Sequence, residues 1–391
     1  MDSEGQPTPT LGCCCRPPLG KYLNGVELVG PISLMLRGCK HGPCDKIGKP
    51  YSHCPPRGGE PALPWQGVGM RALASSSLGS LRNAHVIDLP LPEPGPGEIR
   101  VRVHASAINP SDVKTILGKT RFLHAKGFPL VMGYDLSGEV DALGDGVTDV
   151  RVGQTVFGFH AYSRRTRLGA FATHTVLPAA FVAAKPASIS HETAAAAATA
   201  GVTALQGLRD SGHHKPGYRV LVTGASGGVG AMVIGLTKAL GGHPDAITSA
   251  DNVSFIRGLG AEQVYDRGSP ESLAAIKGPY DIVYDAAAAF SMRRFRHALA
   301  AGRTYVTTLP KLSLLADLLA APFLGRRVRM VMVKPKRSDL EQLGLFLEQG
   351  LAVPIASTVT LADAASALDD YDRHGARGKV VVRMPEQPGA A

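Results

Sequence analysis

The chain has 391 residues, a formal net charge of +10 and 44% hydrophobic residues. That length exceeds one ordinary core and fits two domains with an appendage; no run approaches the roughly 20 apolar residues of a membrane span, so no transmembrane helix is expected. The positive excess suits an anionic partner, but the basic residues are spread along the chain. The clusters Arg164, Arg165, Arg167 and Arg326, Arg327, Arg329 read as solvated faces, which argues against nucleic acid and leaves a phosphorylated small molecule.

Residues 1–69 hold scattered Gly and Pro, a Cys13-Cys14-Cys15 run and no sustained periodicity. They read as a disordered extension, or as upstream sequence translated from too early a start. Met1-Asp2-Ser3-Glu4 is the wrong opening for a signal peptide, which points to a cytoplasmic protein. Cys39, His41, Cys44, His53 and Cys54 lack paired metal-ligand spacing, and every cysteine of the chain precedes Met70. The main body therefore has no disulfide, no cysteine nucleophile and no thiolate metal ligand.

From Met70 the chain reads as short strands. Glu98–Val103 alternates polar and apolar after the turn Pro94-Gly95-Pro96-Gly97, and further strands are expected at Gly138–Leu143, Thr155–Phe159 and Ala170–Val176, the pattern of a small β-rich domain. After Lys215-Pro216-Gly217 strands and helices alternate. Strands are expected at Arg219–Thr223, Asp245–Ser249, Gln263–Tyr265, Tyr280–Asp285, Arg303–Thr308 and Val328–Val333. Helices are expected after Gly230, around Phe255–Leu259 and over Phe290–Ala300. Such alternation implies an α/β, doubly wound parallel sheet. A helix then starts at Ser338, spaced for a capping box with Glu341, and a strand closes the chain at Lys379–Arg383. The expected division is 70–196, 197–334 and a return segment 335–391.

Val220-Leu221-Val222-Thr223 runs into Gly224-Ala225-Ser226-Gly227-Gly228-Val229-Gly230 and then an amphipathic helix. A glycine-rich turn between strand and helix suits a dinucleotide: Gly227 lets backbone approach a pyrophosphate, Gly230 lets helix pack on strand, and the helix N-terminus offers unpaired N–H groups. Ala225 is the one departure from G-x-G-x-x-G. The second strand ends with Ser249, able to donate to a 2′-phosphate, with Arg267 or Arg257 as cation, which favours NADPH; Asp251 argues for NADH unless it caps the next helix.

These motifs, with Leu259-Gly260-Ala261 and Gly133-Tyr134-Asp135-Leu136-Ser137-Gly138, resemble the medium-chain dehydrogenase/reductase superfamily, zinc-free quinone oxidoreductase branch. The resemblance spans Met70 to Arg383. Thr304-Tyr305-Val306-Thr307 and Ala376-Arg377-Gly378-Lys379 are similar to the reticulon-interacting mitochondrial oxidoreductases and their bacterial relatives. It implies a GroES-like catalytic domain joined to a Rossmann domain. The superfamily's three zinc-ligand positions fall at Ile108-Asn109-Pro110-Ser111-Asp112, at Tyr134 and at Thr199-Ala200-Gly201, where no ligand set survives.

Without a metal to polarise a carbonyl, a quinone or conjugated enone becomes the natural hydride acceptor, because charge spreads over the conjugated system. The resemblance places Asn109 and Tyr134 at the mouth of the cleft as polarising groups; each also has a plain reading, Asn109 as a turn residue and Tyr134 as a core aromatic. Lys114 and Asp112 are weaker candidates. It further implies cofactor contacts from Ser226, Gly228, Val229, Ser249, Thr308, Val331, Val333, Gly375, Ala376 and Arg377, with Arg267 where the family has a tyrosine. A metal-free alcohol or aldehyde reductase, an enoyl-thioester reductase and a non-enzymatic NADPH-binding protein are the competing readings. The family often forms homodimers through a sheet edge of the nucleotide domain.

Overall fold

A computed structural model describes residues 69–385 apart from 121–126, 164–165, 167 and 310–311. The expected extension 1–69 lies outside the described residues except for Gly69, and Leu63–Ala391 forms one compact unit. Its first part carries β1 (Gly69–Ser75), β2 (Ala84–Pro90), β3 (Glu98–Ala107), β4 (Leu130–Val131), β5 (Asp135–Leu143), β6 (Thr155–Phe159), β7 (His174–Pro178) and β8 (Val182–Ala184). Helix α1 (Pro110–Ile116) follows β3, and α2 (His191–Gln206) follows β8. Then come β9 (Arg219–Thr223), α3 (Gly228–Ala239), β10 (His243–Thr248), α4 (Val253–Gly258), β11 (Val264–Asp266), α5 (Pro270–Ala274) and β12 (Tyr280–Asp285). The chain ends with β13 (Leu299–Thr307), α6 (Leu312–Ala320), β14 (Arg327–Met330), α7 (Arg337–Glu348), β15 (Ile355–Thr360), α8 (Ala364–His374) and β16 (Lys379–Arg383).

Strands β9 to β14 form one parallel sheet ordered β11-β10-β9-β12-β13-β14. Written from its first strand, this is 3-2-1-4-5-6, which reverses direction beside β9 and opens a crevice at the carboxyl ends of β9 and β12. Val220, Leu221 and Val222 of β9 are all fully buried, as a central strand covered on both faces requires. The other large sheet is mainly antiparallel and runs β15-β16-β3-β5-β6-β8, with β7 also on β3. Its inward residues alternate along β3, where Ile99, Val101 and Val103 join the core. The C-terminal pair β15 and β16 returns to this sheet, Val381 opposite Ala107.

Helix α2 packs against both halves, touching α3 on one side and β3, β5 and β6 on the other. Its residues from Ala194 to Gln206 are buried, and the small side chains let neighbouring backbones approach. Because no face is exposed, no amphipathic period marks this helix in the sequence. No helix among the described residues is long and apolar enough to cross a membrane.

Three expected elements differ. The helix expected over Phe290–Ala300 is only a 3-10 turn at Met292–Phe295, and β13 already begins at Leu299. The Asp285 carboxylate takes the Ala289 and Phe290 amides at 2.9 and 2.8 Å, and the Asp317 carboxylate takes the Met292 amide, so side chains anchor this segment, and the pairing of Leu299 with Tyr280 of β12 leaves too few residues for the expected helix. Ser338 does not cap α7, which starts one residue earlier with Lys336 at the N-cap and no side-chain cap bond. The strand expected at Ala170–Val176 lies four residues later at its start, at His174–Pro178.

Candidate functional site

The turn after β9 has the shape its glycines suggest. Gly224 adopts φ +66°, closed to most side chains, and Gly227 N–H donates to the Gly224 carbonyl at 3.1 Å. A Cβ on Gly230 would stand 2.2 Å from the Gly224 carbonyl oxygen and 2.7 Å from the Ala225 Cα, so only hydrogen allows α3 to sit on the turn. At Gly227 a Cβ would meet nothing nearer than the Gly224 oxygen at 3.6 Å; the space over the helix start is open. No side chain caps α3, and its first bonded amide is Ala231, so the N–H groups of Gly228, Val229 and Gly230 are left for an anion. Ala225 is buried beneath the turn, and the Ser226 carbonyl accepts from Gly378 N–H at 2.8 Å. An open cradle ringed by unpaired donors fits the pyrophosphate of a nicotinamide dinucleotide.

At the end of β10, Ser249 is half-buried and its hydroxyl accepts from Asn252 Nδ2 at 2.9 Å. Arg267 N–H donates to the Thr248 carbonyl, holding β11 beside it with the Arg267 side chain exposed. The Arg377 guanidinium, from the loop before β16, donates to the Asp251 carbonyl at 3.2 Å. Ser249 and Arg377 thus meet at one corner through Asn252 and Asp251, where the buried Thr248 hydroxyl and Asn252 Oδ1 have no partner; the Arg267 side chain instead lines a hollow with Pro270, Leu273, Arg294 and Phe295. Asp251 does not cap the following turn; Ser249 holds that N-cap position.

Thr308 follows β13, its hydroxyl donating to the Ala286 carbonyl at 2.9 Å. Val331 is buried, its N–H on the Thr307 carbonyl, and Val333 packs on the core around α2 and α3. Gly375 ends α8 at φ +68°, and Ala376 packs on the core of the β-rich half.

Across the crevice, Asn109 precedes Pro110 at the first position of α1. The Asp112 carboxylate accepts the Asn109 backbone N–H at 2.8 Å and Gly133 N–H at 3.2 Å. Burial pushes the Asp112 carboxyl up to about 7, and the nearby Asp135 adds to the rise. Tyr134 is buried against Tyr162, ring centroids 4.4 Å apart, and hydrogen-bonds to Thr115. Burial first, and Asp112 second, hold its phenol far above its ordinary range, so it stays a neutral donor.

The Asn109 amide lies within a buried polar cluster absent from the sequence-based expectation. Its Nδ2 donates to Asp135 Oδ2 at 2.8 Å and to the Ala107 carbonyl at 3.2 Å; its Oδ1 accepts from Lys379 Nζ at 2.6 Å. Lys379 also pairs with Asp135 Oδ2 at 3.0 Å, while Asp135 Oδ1 accepts Thr199 N–H at 2.8 Å. The side chains of Lys379 and Asp135 are 5% and 0% exposed. Thr199, at the third of the superfamily's ligand positions, keeps a buried hydroxyl without a partner. No local pattern announces this cluster: its members come from four elements and meet only on folding.

A 3-2-1-4-5-6 parallel sheet, an open glycine turn at its switch point and a second β-rich half closing the crevice define a nicotinamide-dinucleotide oxidoreductase. Residues 95–187 match the alcohol dehydrogenase GroES-like domain, and residues 259–382 match the zinc-binding dehydrogenase family. The chain is 32% identical over 224 residues to the chloroplast envelope quinone oxidoreductase homolog of Arabidopsis thaliana, covering 56% of this chain and 67% of the relative. It is 28% identical to the mitochondrial NAD(P)H oxidoreductase RTN4IP1 of Drosophila melanogaster, over 73% of this chain and 79% of that one. The solved quinone oxidoreductase from Coxiella burnetii superposes with a TM-score of 0.74 at 28% identity, covering 81% of this chain and all of that one. The chain belongs to the medium-chain dehydrogenase/reductase superfamily, among the quinone oxidoreductase homologues.

Proposed function

We propose that this chain is a zinc-independent NADPH-dependent reductase that passes a hydride to a quinone or conjugated enone. The observation that carries the reading is the pairing of an open, donor-ringed cradle at Gly227–Gly230 with Asn109, Tyr134 and Thr199 where zinc-bearing relatives hold ligands. Ser249 and Arg377 at one corner supply a hydroxyl and a cation that suit a 2′-phosphate, which supports NADPH over NADH. The names of the Arabidopsis and Coxiella relatives support a quinone acceptor.

When bound, the dihydronicotinamide supplies the hydride. The residues of the chain have the remaining tasks. The unpaired amides of α3 hold the diphosphate, and Gly227 lets it come close. Thr308, Val331 and Val333 line the nicotinamide end, while Gly375, Ala376 and Arg377 close the cofactor from the C-terminal side. Tyr134, kept neutral by burial, lines the acceptor side as a hydrogen-bond donor, and Asn109 holds the buried charges beside it in place. Exclusion of water keeps the hydride from being lost to solvent. In this reading the enzyme works in the cytoplasm, and an edge of the parallel sheet, whose edge strands are β11 and β14, is where two copies pair.

Initial rates of NADPH and NADH oxidation, measured anaerobically against a panel of quinones, enones and aldehydes, test the proposal. It expects NADPH with quinones or enones to be preferred. A clear preference for aldehydes would move the reading to an alcohol or aldehyde reductase, and tight NADPH binding without turnover would move it to a non-enzymatic role.

A further inference from the structure

Lys379 is a buried side chain that spans both halves of the site. Its backbone is tied to the cofactor turn: the neighbouring Gly378 donates to the Ser226 carbonyl and bridges Gly227. Its stem lies over the start of α3, since a Cβ on Gly228 would stand 2.7 Å from the Lys379 Cδ. Its ammonium reaches across to Asn109 and Asp135 on the other side of the crevice. An ammonium has three N–H donors, and two are committed. Both N–H donors of the Asn109 amide are engaged by protein groups, so this amide has none left for a ligand.

We propose that Lys379 is the group that stabilises the anion formed on the acceptor, held in place by Asn109 and Asp135, with its third N–H directed to the acceptor oxygen. The inference rests on the hydride-transfer reading above. Hydride addition forms a C–H bond and leaves a negative charge conjugated to oxygen. The Lys379 ammonium hydrogen-bonds that oxygen and keeps its own proton; water supplies the proton that completes the product. A fixed cation in a water-poor site acts where the charge develops and needs no reorganisation. Asp135 offsets the charge of Lys379 before the reaction, which makes burial of the ammonium tolerable.

Lys379→Met keeps the stem over Gly228 and removes the charge, but leaves Asp135 buried and unpaired. The double variant Lys379→Met/Asp135→Asn removes both charges, and rotation of the Asn109 amide lets it pair with the new one. Thermal unfolding, NADPH titration by fluorescence, and kcat and KM are measured for wild type and both variants on whichever acceptor the wild type reduces best. The expected result is a double variant with Tm close to wild type, NADPH Kd within about threefold, and kcat lower by about 10²–10³, the size of losing one oxyanion donor. Recovery of kcat to near wild type in the double variant would make the pair a structural salt bridge and overturn the inference. So would a fall in kcat matched by an equal loss of NADPH affinity. If aldehydes prove the best acceptors, the proposed acceptor class fails while Lys379 is still judged on them; if the wild type reduces no acceptor, both fail.

Discussion

Two alanine substitutions three residues apart separate what the glycine turn does for the cofactor from what it does for the fold. At Gly227, φ is −82° and an added Cβ meets only the Gly224 oxygen, 3.6 Å away, an ordinary contact. Gly227→Ala is therefore expected to fold, losing about 0.5–1 kcal/mol at the helix N-cap, with Tm within about 4 °C of wild type. The methyl projects into the space the pyrophosphate occupies in our proposal, so NADPH Kd should rise at least about tenfold, or 1.4 kcal/mol. At Gly230 the same methyl would be 2.2 Å from a carbonyl oxygen and 2.7 Å from a Cα, both backbone atoms of the turn. Relief requires moving α3 off β9, an overpacking cost of about 1–3 kcal/mol and a fall in Tm of roughly 2–12 °C. Differential scanning fluorimetry with and without NADPH, joined to fluorescence titration, reads both quantities. Unchanged NADPH affinity in Gly227→Ala would refute the assigned cradle. A large loss of Tm in that variant would refute the geometry.

Arg377→Ala should raise NADPH Kd by about fivefold or more, near 1 kcal/mol for an exposed charged hydrogen bond, and leave NADH Kd unchanged; equal effects on both would remove Arg377 from the phosphate corner. Stability should also depend on pH in a way that sorts two buried groups. His160 is buried with Nε2 on Thr175, and burial lowers it to about 4. Between about 6.5 and 4 the unfolded chain takes up a proton there that the fold refuses, so stability falls as the solution is acidified, by about 3 kcal/mol by pH 4 from this group. Asp112, raised to about 7, does the reverse: the fold binds its proton first, which adds stability as pH falls from 7 towards 4. His160→Gln should flatten the acid loss of Tm, and Asp112→Asn should steepen it. Denaturant midpoints across pH 4 to 7 check both slopes, and parallel curves for the three proteins would contradict the assignment.

The parts of the fold that were legible in the sequence are those with local causes. Arg219–Thr223, Thr155–Phe159, Tyr280–Asp285 and Lys379–Arg383 are strands at the expected residues, because an apolar or alternating run between turn residues states its own geometry. The glycine turn was legible for the same reason. The helix expected at Phe290–Ala300 failed on a non-local cause: Leu299 already pairs with Tyr280 of β12, and the carboxylates of Asp285 and Asp317 anchor the short segment before it. The polar centre was illegible in kind. Asn109 and Tyr134 stood out by their positions in motifs, but the partners of Asn109 come from the start of β5 and from β16, 26 and 270 residues away. Nothing in Lys379-Val380-Val381-Val382 reveals that its lysine turns inward, since a strand's first residue usually faces solvent.

The most direct test of the central claim follows a label. Wild-type protein is incubated with NADPH deuterated at C4 of the nicotinamide and a conjugated enone, and the product is read by mass spectrometry and NMR, with and without a zinc chelator. The account predicts deuterium on the carbon β to the carbonyl, a saturated ketone as product, and no effect of the chelator. Deuterium on the carbonyl carbon with an alcohol product, or loss of the reaction on chelation, would contradict it.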